Sequence, residues 1–97
     1  MAEKAGIVQR LKERFGLTPY FEDNVVNNPA REHLLPYVEA AIDEAEAREV
    51  QEDSKVRHFW YVEELGYHIR VITTGEGRLF NAHEDSNYTR KQRRRKQ

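Results

Sequence analysis

The chain has no cysteine, which excludes a disulfide framework, a thiolate metal site and a thiol nucleophile. It has no apolar run near the ~18 residues of a membrane span, and Met1-Ala2-Glu3-Lys4 does not open a secretory signal. A soluble, cytoplasmic protein with no membrane partner is expected. Internal repeats and low-complexity linkers are missing as well, and 97 residues make one domain rather than two. Apolar residues are scarce: Leu, Ile, Val and Phe supply 22 of 97 positions. That lies just above the ~20% below which a charged chain stays disordered, so a small core is within reach, aided by five Tyr and one Trp.

Charge is plentiful and unevenly placed. Sixteen Lys and Arg nearly balance seventeen Asp and Glu, yet Arg90, Lys91, Arg93, Arg94, Arg95 and Lys96 all fall in the last ten residues with no acid among them. Residues 1–87 therefore carry ten basic against seventeen acidic side chains, a net of −7. An acidic body, 1–87, with a basic tail, 88–97, is the expected organisation. The tail has no apolar residue after Tyr88, so it is expected to be disordered when free.

The hydrophobic period changes along the chain. Ile7, Leu11 and Phe15, with Val8 beside them, predict a helix over about 3–15, capped by Gly16. Residues 17–29 read as a loop with one helical turn. Asn28-Pro29 starts a short turn, and Pro36 begins a main helix over about 36–49 with Val38, Ala41, Ile42 and Ala45 on one side and acids on the other. After Ser54 the period becomes two, predicting strands over 56–63, 67–74 and 78–83, with Gly75-Glu76-Gly77 as a hairpin connection. Glu84-Asp85-Ser86-Asn87 reads as a turn. The fold class is α+β: two to three N-terminal helices packed on a three- to four-stranded antiparallel meander.

The histidines are the first candidates for chemistry. His58, His68 and His83 lie one on each strand, and His33 lies before Pro36. With no His-x-x-x-His spacing and no thiolate, no metal site or cofactor is expected. By strand parity His58 shares a face with Trp60, and His68 with Arg70. Arg57, His58, Tyr61, Tyr67, His68, Arg70, Thr73, Thr74, Arg78 and His83 form a basic and hydroxyl set on the strands. Cleavage of RNA by its own 2′-hydroxyl needs a base, a cation for the phosphorane and an acid for the leaving oxygen. Such a set can supply all three without metal, and it can equally be the solvated face of a half-buried sheet. The tail can neutralise several phosphates, fold back on the acids of 39–53, or only keep the chain in solution.

The order of features from Pro29 resembles a known group. Pro29-Ala30-Arg31-Glu32-His33-Leu34-Leu35-Pro36-Tyr37-Val38 precedes an acidic helix, followed by Phe59-Trp60-Tyr61, Ile69-Arg70-Val71-Ile72, a glycine hairpin and Leu79-Phe80-Asn81-Ala82-His83. Across about two-thirds of the chain this is similar to the phage- and toxin-associated nuclease-like domains of the barnase–EndoU–colicin–RelE group. Val71-Ile72-Thr73 and Asn81-Ala82-His83 echo a strand pair of that group, although Asn81 and His83 stand where Thr and Tyr are usual. The resemblance implies a metal-independent endoribonuclease with Arg57, His68, Arg70 and His83 as catalytic positions and RNA as partner. The second expectation is a non-enzymatic interaction module, using the acidic helix 36–49 toward a protein and Arg90, Lys91, Arg93, Arg94, Arg95 and Lys96 toward nucleic acid.

Overall fold

The computed structural model describes residues 3–95. Its elements, in chain order, are α1 (Lys4–Arg14), the single turn α2 (Pro19–Phe21) running into a wide π turn (Glu22–Val26), a 3-10 turn (Glu32–Leu34), α3 (Leu35–Asp43), β1 (Ala47–Val50), β2 (Val56–Val62), β3 (Tyr67–Thr73), β4 (Leu79–Glu84) and α4 (Ser86–Arg95). The class is α+β, and the four strands form one antiparallel sheet in the order β1-β2-β3-β4. None of the described helices is long and apolar enough to cross a membrane.

Register assigns the two faces of the sheet. Trp60 opposes Ile69, His58 opposes Val71, and Val71 opposes Ala82. This face packs on the N-terminal helical layer, where Leu11, Phe21, Val25, Leu34, Leu35, Val38 and Ala41 meet Val62, Ile69, Val71, Leu79 and Ala82. The other face carries Phe59 opposite Arg70, Tyr61 opposite His68, and Arg70 opposite His83. Helix α4 lies over part of it: Tyr88 stacks on Phe59 with ring centroids 4.4 Å apart. Without α4 the ring of Phe59, now 3% exposed, would face water at a cost of about 1.5–3 kcal/mol.

Local chemistry accounts for several boundaries. Gly16 takes φ 81° after α1, a left-handed conformation that glycine adopts without strain. Its carbonyl accepts from Leu79 N–H at 2.9 Å, and Thr18 N–H donates back to Leu79 O at 3.1 Å. This seam covers the start of the edge strand β4. A register shift at Ile72/Thr73 bulges β4, and Phe80 there stacks on Tyr20 at 4.7 Å.

Two expectations need correction. The main helix does not run to Glu49; it ends at Asp43, and 47–50 pair with 56–59 as β1. Glu46 N–H donates to Phe59 O at 2.8 Å and the Glu46 carboxylate accepts from Tyr61 N–H at 2.6 Å, so pairing with β2 overrides local helix propensity. The fourth strand thus precedes the three read from the sequence. The turn at 84–87 is a helix start: Asp85 Oδ1 accepts from Tyr88 N–H at 3.0 Å, a side-chain N-cap. The described part of the segment read as a tail belongs to α4, which runs through Arg95. Tyr88 and Thr89 give it something to bury, and its cations gather toward the C-terminal end, where the helix dipole favours them. Lys96 lies outside the described residues.

Candidate nucleic-acid interface

Helix α4 is two-sided. Tyr88, Thr89 and Gln92 follow the i, i+1, i+4 spacing of one helical face, and Thr89 is buried against β3. The Thr89 hydroxyl accepts from His68 N–H at 2.7 Å and lies 3.0 Å from His68 Nδ1. His68 Nε2 lies 3.4 Å from Glu46 Oε1. With Nε2–H facing the carboxylate, Nδ1 is left as an acceptor for the Thr89 hydroxyl. A protonated ring is also satisfied: Nδ1–H then donates to Thr89, whose own hydrogen turns to Asp85 O at 3.3 Å. Thr89 therefore keeps its hydrogen bonds to β3 in either ring state.

The outward side of α4 presents Arg90, Lys91, Arg93 and Arg94, all exposed. Arg90 donates to the Asn87 side chain one turn back. Among the described residues, no ion pair reaches Lys91, Arg93 or Arg94. Two depressions flank the helix. One of about 550 Å³ separates it from β1 and is lined by Arg48, Glu49, Tyr88, Lys91 and Arg94 among others. The second, of about 300 Å³, is lined by Glu46, Tyr61, His68, Thr89, Gln92 and Arg93.

The four residues expected to be catalytic do not form one cluster. Arg70 and His83 meet: Arg70 Nε donates to His83 Nε2 at 3.1 Å, and Asp85 stands 3.8 Å from the guanidinium. Burial, then the Arg70 guanidinium, push His83 below its ordinary range, so it is neutral near pH 7. Its Nδ1–H donates to Glu84 O at 3.2 Å, which leaves Nε2 as the acceptor already taken by Arg70. His68 is on the same face but 4% exposed beneath α4. Ile72 is buried on that face too, which makes Arg70 a rim residue with a quarter of its side chain exposed. Arg57 turns to Glu49 on β1 at 3.5 Å. Among the described residues, no hydrogen bond or ion pair joins Arg57 or His68 to the Arg70–His83 pair.

The remaining histidines lie elsewhere. His58, on the face toward the N-terminal helices, places Nε2 3.0 Å from the Thr73 hydroxyl, and its buried Nδ1 has no partner. Burial, with Arg48 nearby, lowers its pKa. His33 is exposed, with Nε2 3.5 Å from the Tyr67 hydroxyl. Among the described residues, no group of three or more His, Asp or Glu side chains is placed to hold a metal ion.

Sequence reasoning missed Glu46, Thr89 and Gln92. The signal for the last two was Asp85, an N-cap residue three positions before Tyr88, which starts the helix that brings them over β3. Glu46 carried no signal of its own, because its role depends on β1 pairing. The chain matches no protein-family model, no curated protein and no solved structure, so the likeness to the nuclease-like group rests on its order of elements.

Proposed function

We propose that this protein is an RNA-directed module that grips the phosphates of a single strand with the outward face of α4. The carrying observation is that Lys91, Arg93 and Arg94 are exposed on a helix anchored to the sheet and are neutralised by no acid of the described chain. Cations left unpaired on a rigid helix release counterions when phosphate replaces them. The −7 body limits the contact to this helix and its two flanking depressions, which suits one strand better than a wrapped duplex. The acidic helix expected to recruit a protein is a weaker candidate, since Glu39 and Asp43 of α3 are held by Arg10 and Arg14 of α1.

The test is fluorescence anisotropy with a labelled 12-nucleotide single-stranded RNA. Binding should weaken as salt rises, with a slope of about −3 in log K against log salt for four phosphate contacts at ~0.7 each. A salt-independent affinity, or none, overturns the reading.

Cleavage is the second reading, favoured by Arg70 and His83 in contact on the open part of the same face. It requires Arg70 to leave His83 Nε2 for the phosphate, freeing that nitrogen as a base. Incubation of a mixed-sequence RNA with the protein in EDTA tests it: cleavage that falls at least ~100-fold in His83→Ala and in Arg70→Ala supports it, and intact RNA removes it.

A further inference from the structure

Beside the phosphate-binding face of α4, the 300 Å³ cavity has a lining of a different character. Its lining includes the buried His68 and Thr89 together with the half-exposed Tyr61 and the exposed Glu46 and Arg93. Glu46 is fixed in place by the Tyr61 N–H at 2.6 Å on Oε2 and by the approach of His68 Nε2 to Oε1 at 3.4 Å. An ionised carboxylate offers roughly four acceptor positions and no donor, so about two remain for a ligand. A phosphate is repelled there. What fits is a neutral, planar group bearing N–H donors, small enough for 300 Å³.

A strand lying along α4 carries such groups. Tyr61 stands edge-on to His68, with centroids 5.2 Å apart and planes at 66°, and is half-exposed at the cavity, so it offers an aromatic surface to a flat ring. Arg93 belongs both to this lining and to the exposed cations of α4, so one guanidinium joins the base site to the phosphate track. Resting on the RNA-binding reading above, the geometry points to a base pocket in which Glu46 accepts from the exocyclic amino group of one unpaired base. Cytosine, adenine and guanine carry that donor on the Watson–Crick edge, whereas uracil has a carbonyl oxygen in the place of cytosine's amino group and a single ring N–H as its donor. The pocket therefore favours amino-bearing bases over uracil, which in the pose of cytosine sets two acceptors facing each other.

Oligo(C) and oligo(U) of 12 nucleotides make the comparison without changing ring size. Anisotropy titrations of the full chain should show C12 bound roughly ten-fold more tightly than U12. In Glu46→Gln the amide oxygen keeps the Tyr61 N–H and the NH₂ turns to the cavity, a donor where an acceptor was. That variant should lose the preference or reverse it toward U12. Alanine substitution of Lys91 and Arg94 should weaken both oligomers by the same factor and leave their ratio unchanged. Equal wild-type affinity for C12 and U12 overturns the base pocket while the phosphate reading stands. Binding of neither oligomer overturns both. A preference that survives in folded Glu46→Gln also overturns the assignment, and the wild-type comparison decides the matter if that variant does not fold.

Discussion

Helices α1 and α4 are both rich in cations, and they use them in opposite ways. On α1, Arg10 donates to Glu39 at 2.9 Å, Arg14 bridges Glu39 at 2.8 Å and Asp43 at 2.6 Å, Lys4 reaches Glu32 at 2.5 Å, and Lys12 lies 3.8 Å from Glu22. Hydrogen bonds from Arg10 and Arg14 hold the Glu39 carboxyl below its ordinary range, and Arg14 does the same for Asp43. These side chains are exposed, so each pair contributes little to stability, but together they leave α1 locally neutral. The described cations of α4 have no such acids. Equal charge counts in a sequence therefore carry different meaning: a paired cation fastens one helix to another, and an unpaired one is available to a partner.

The largest effect that follows is on binding. Replacing Arg90, Lys91, Arg93 and Arg94 by alanine should lower single-stranded RNA affinity by about 100-fold and flatten the salt dependence. Replacing Lys4, Arg10, Lys12 and Arg14 should change affinity by less than about three-fold, since removing them frees acids rather than phosphate contacts. Equal losses from the two sets, in anisotropy at fixed salt, would erase the distinction between the helices.

Next in size is the anchoring of α4. Tyr88→Ala removes the ring stacked on Phe59 and should cost about 2–4 kcal/mol, read as a lower midpoint in urea. Thr89→Val is nearly isosteric but strands the buried His68 N–H, and about 1–3 kcal/mol should be lost. By contrast Arg14→Ala, which breaks two exposed pairs on α1, should lower the urea midpoint less than either, and less still in high salt. A larger effect at Arg14 than at Tyr88 would mean that the exposed pairs of α1, and not the stacking of α4, hold the structure together.

A smaller effect is the pH dependence of stability. His58 and His83 both titrate in the folded protein below their ordinary value of 6.5. The unfolded chain then binds more protons between that value and the folded ones, so folding stability rises with pH across the interval. Stability should be fully present above about pH 6.5 and should fall as the pH drops toward the folded values. Loss of the Glu39 and Asp43 pairs adds to the fall only at pH values below the ordinary carboxylate range. Thermal melts at pH 7 and pH 5 should differ in Tm, and the difference should shrink in His58→Gln.

The sheet was largely legible because alternation is a strong signal. Val56–Val62, Tyr67–Thr73 and Leu79–Glu84 fall within one residue of the strands read from the sequence. Parity likewise placed His68 with Arg70 and His58 with Trp60. What stayed hidden depends on tertiary contacts. Ala47–Val50 has good helix formers and no Gly or Pro, so nothing local marks it as a strand before β2 pairs with it. The dense positive charge of 90–96 argued for disorder, yet an N-cap at Asp85 and the stacking of Tyr88 on Phe59 start a helix the charge alone does not suggest. The expected catalytic set failed to converge for a similar reason: α4 covers His68 and leaves Arg70 with His83 at the rim.

The contrast between the two helices is tested most directly by an NMR titration of uniformly ¹⁵N-labelled protein with a 12-nucleotide single-stranded RNA, watching arginine side-chain Nε–H signals. Arg90, Arg93 and Arg94 should shift and become protected as RNA is added, while Arg10 and Arg14, already bound to Glu39 and Asp43, should stay where they are. Shifts at Arg10 and Arg14 with silent α4 arginines would contradict that contrast.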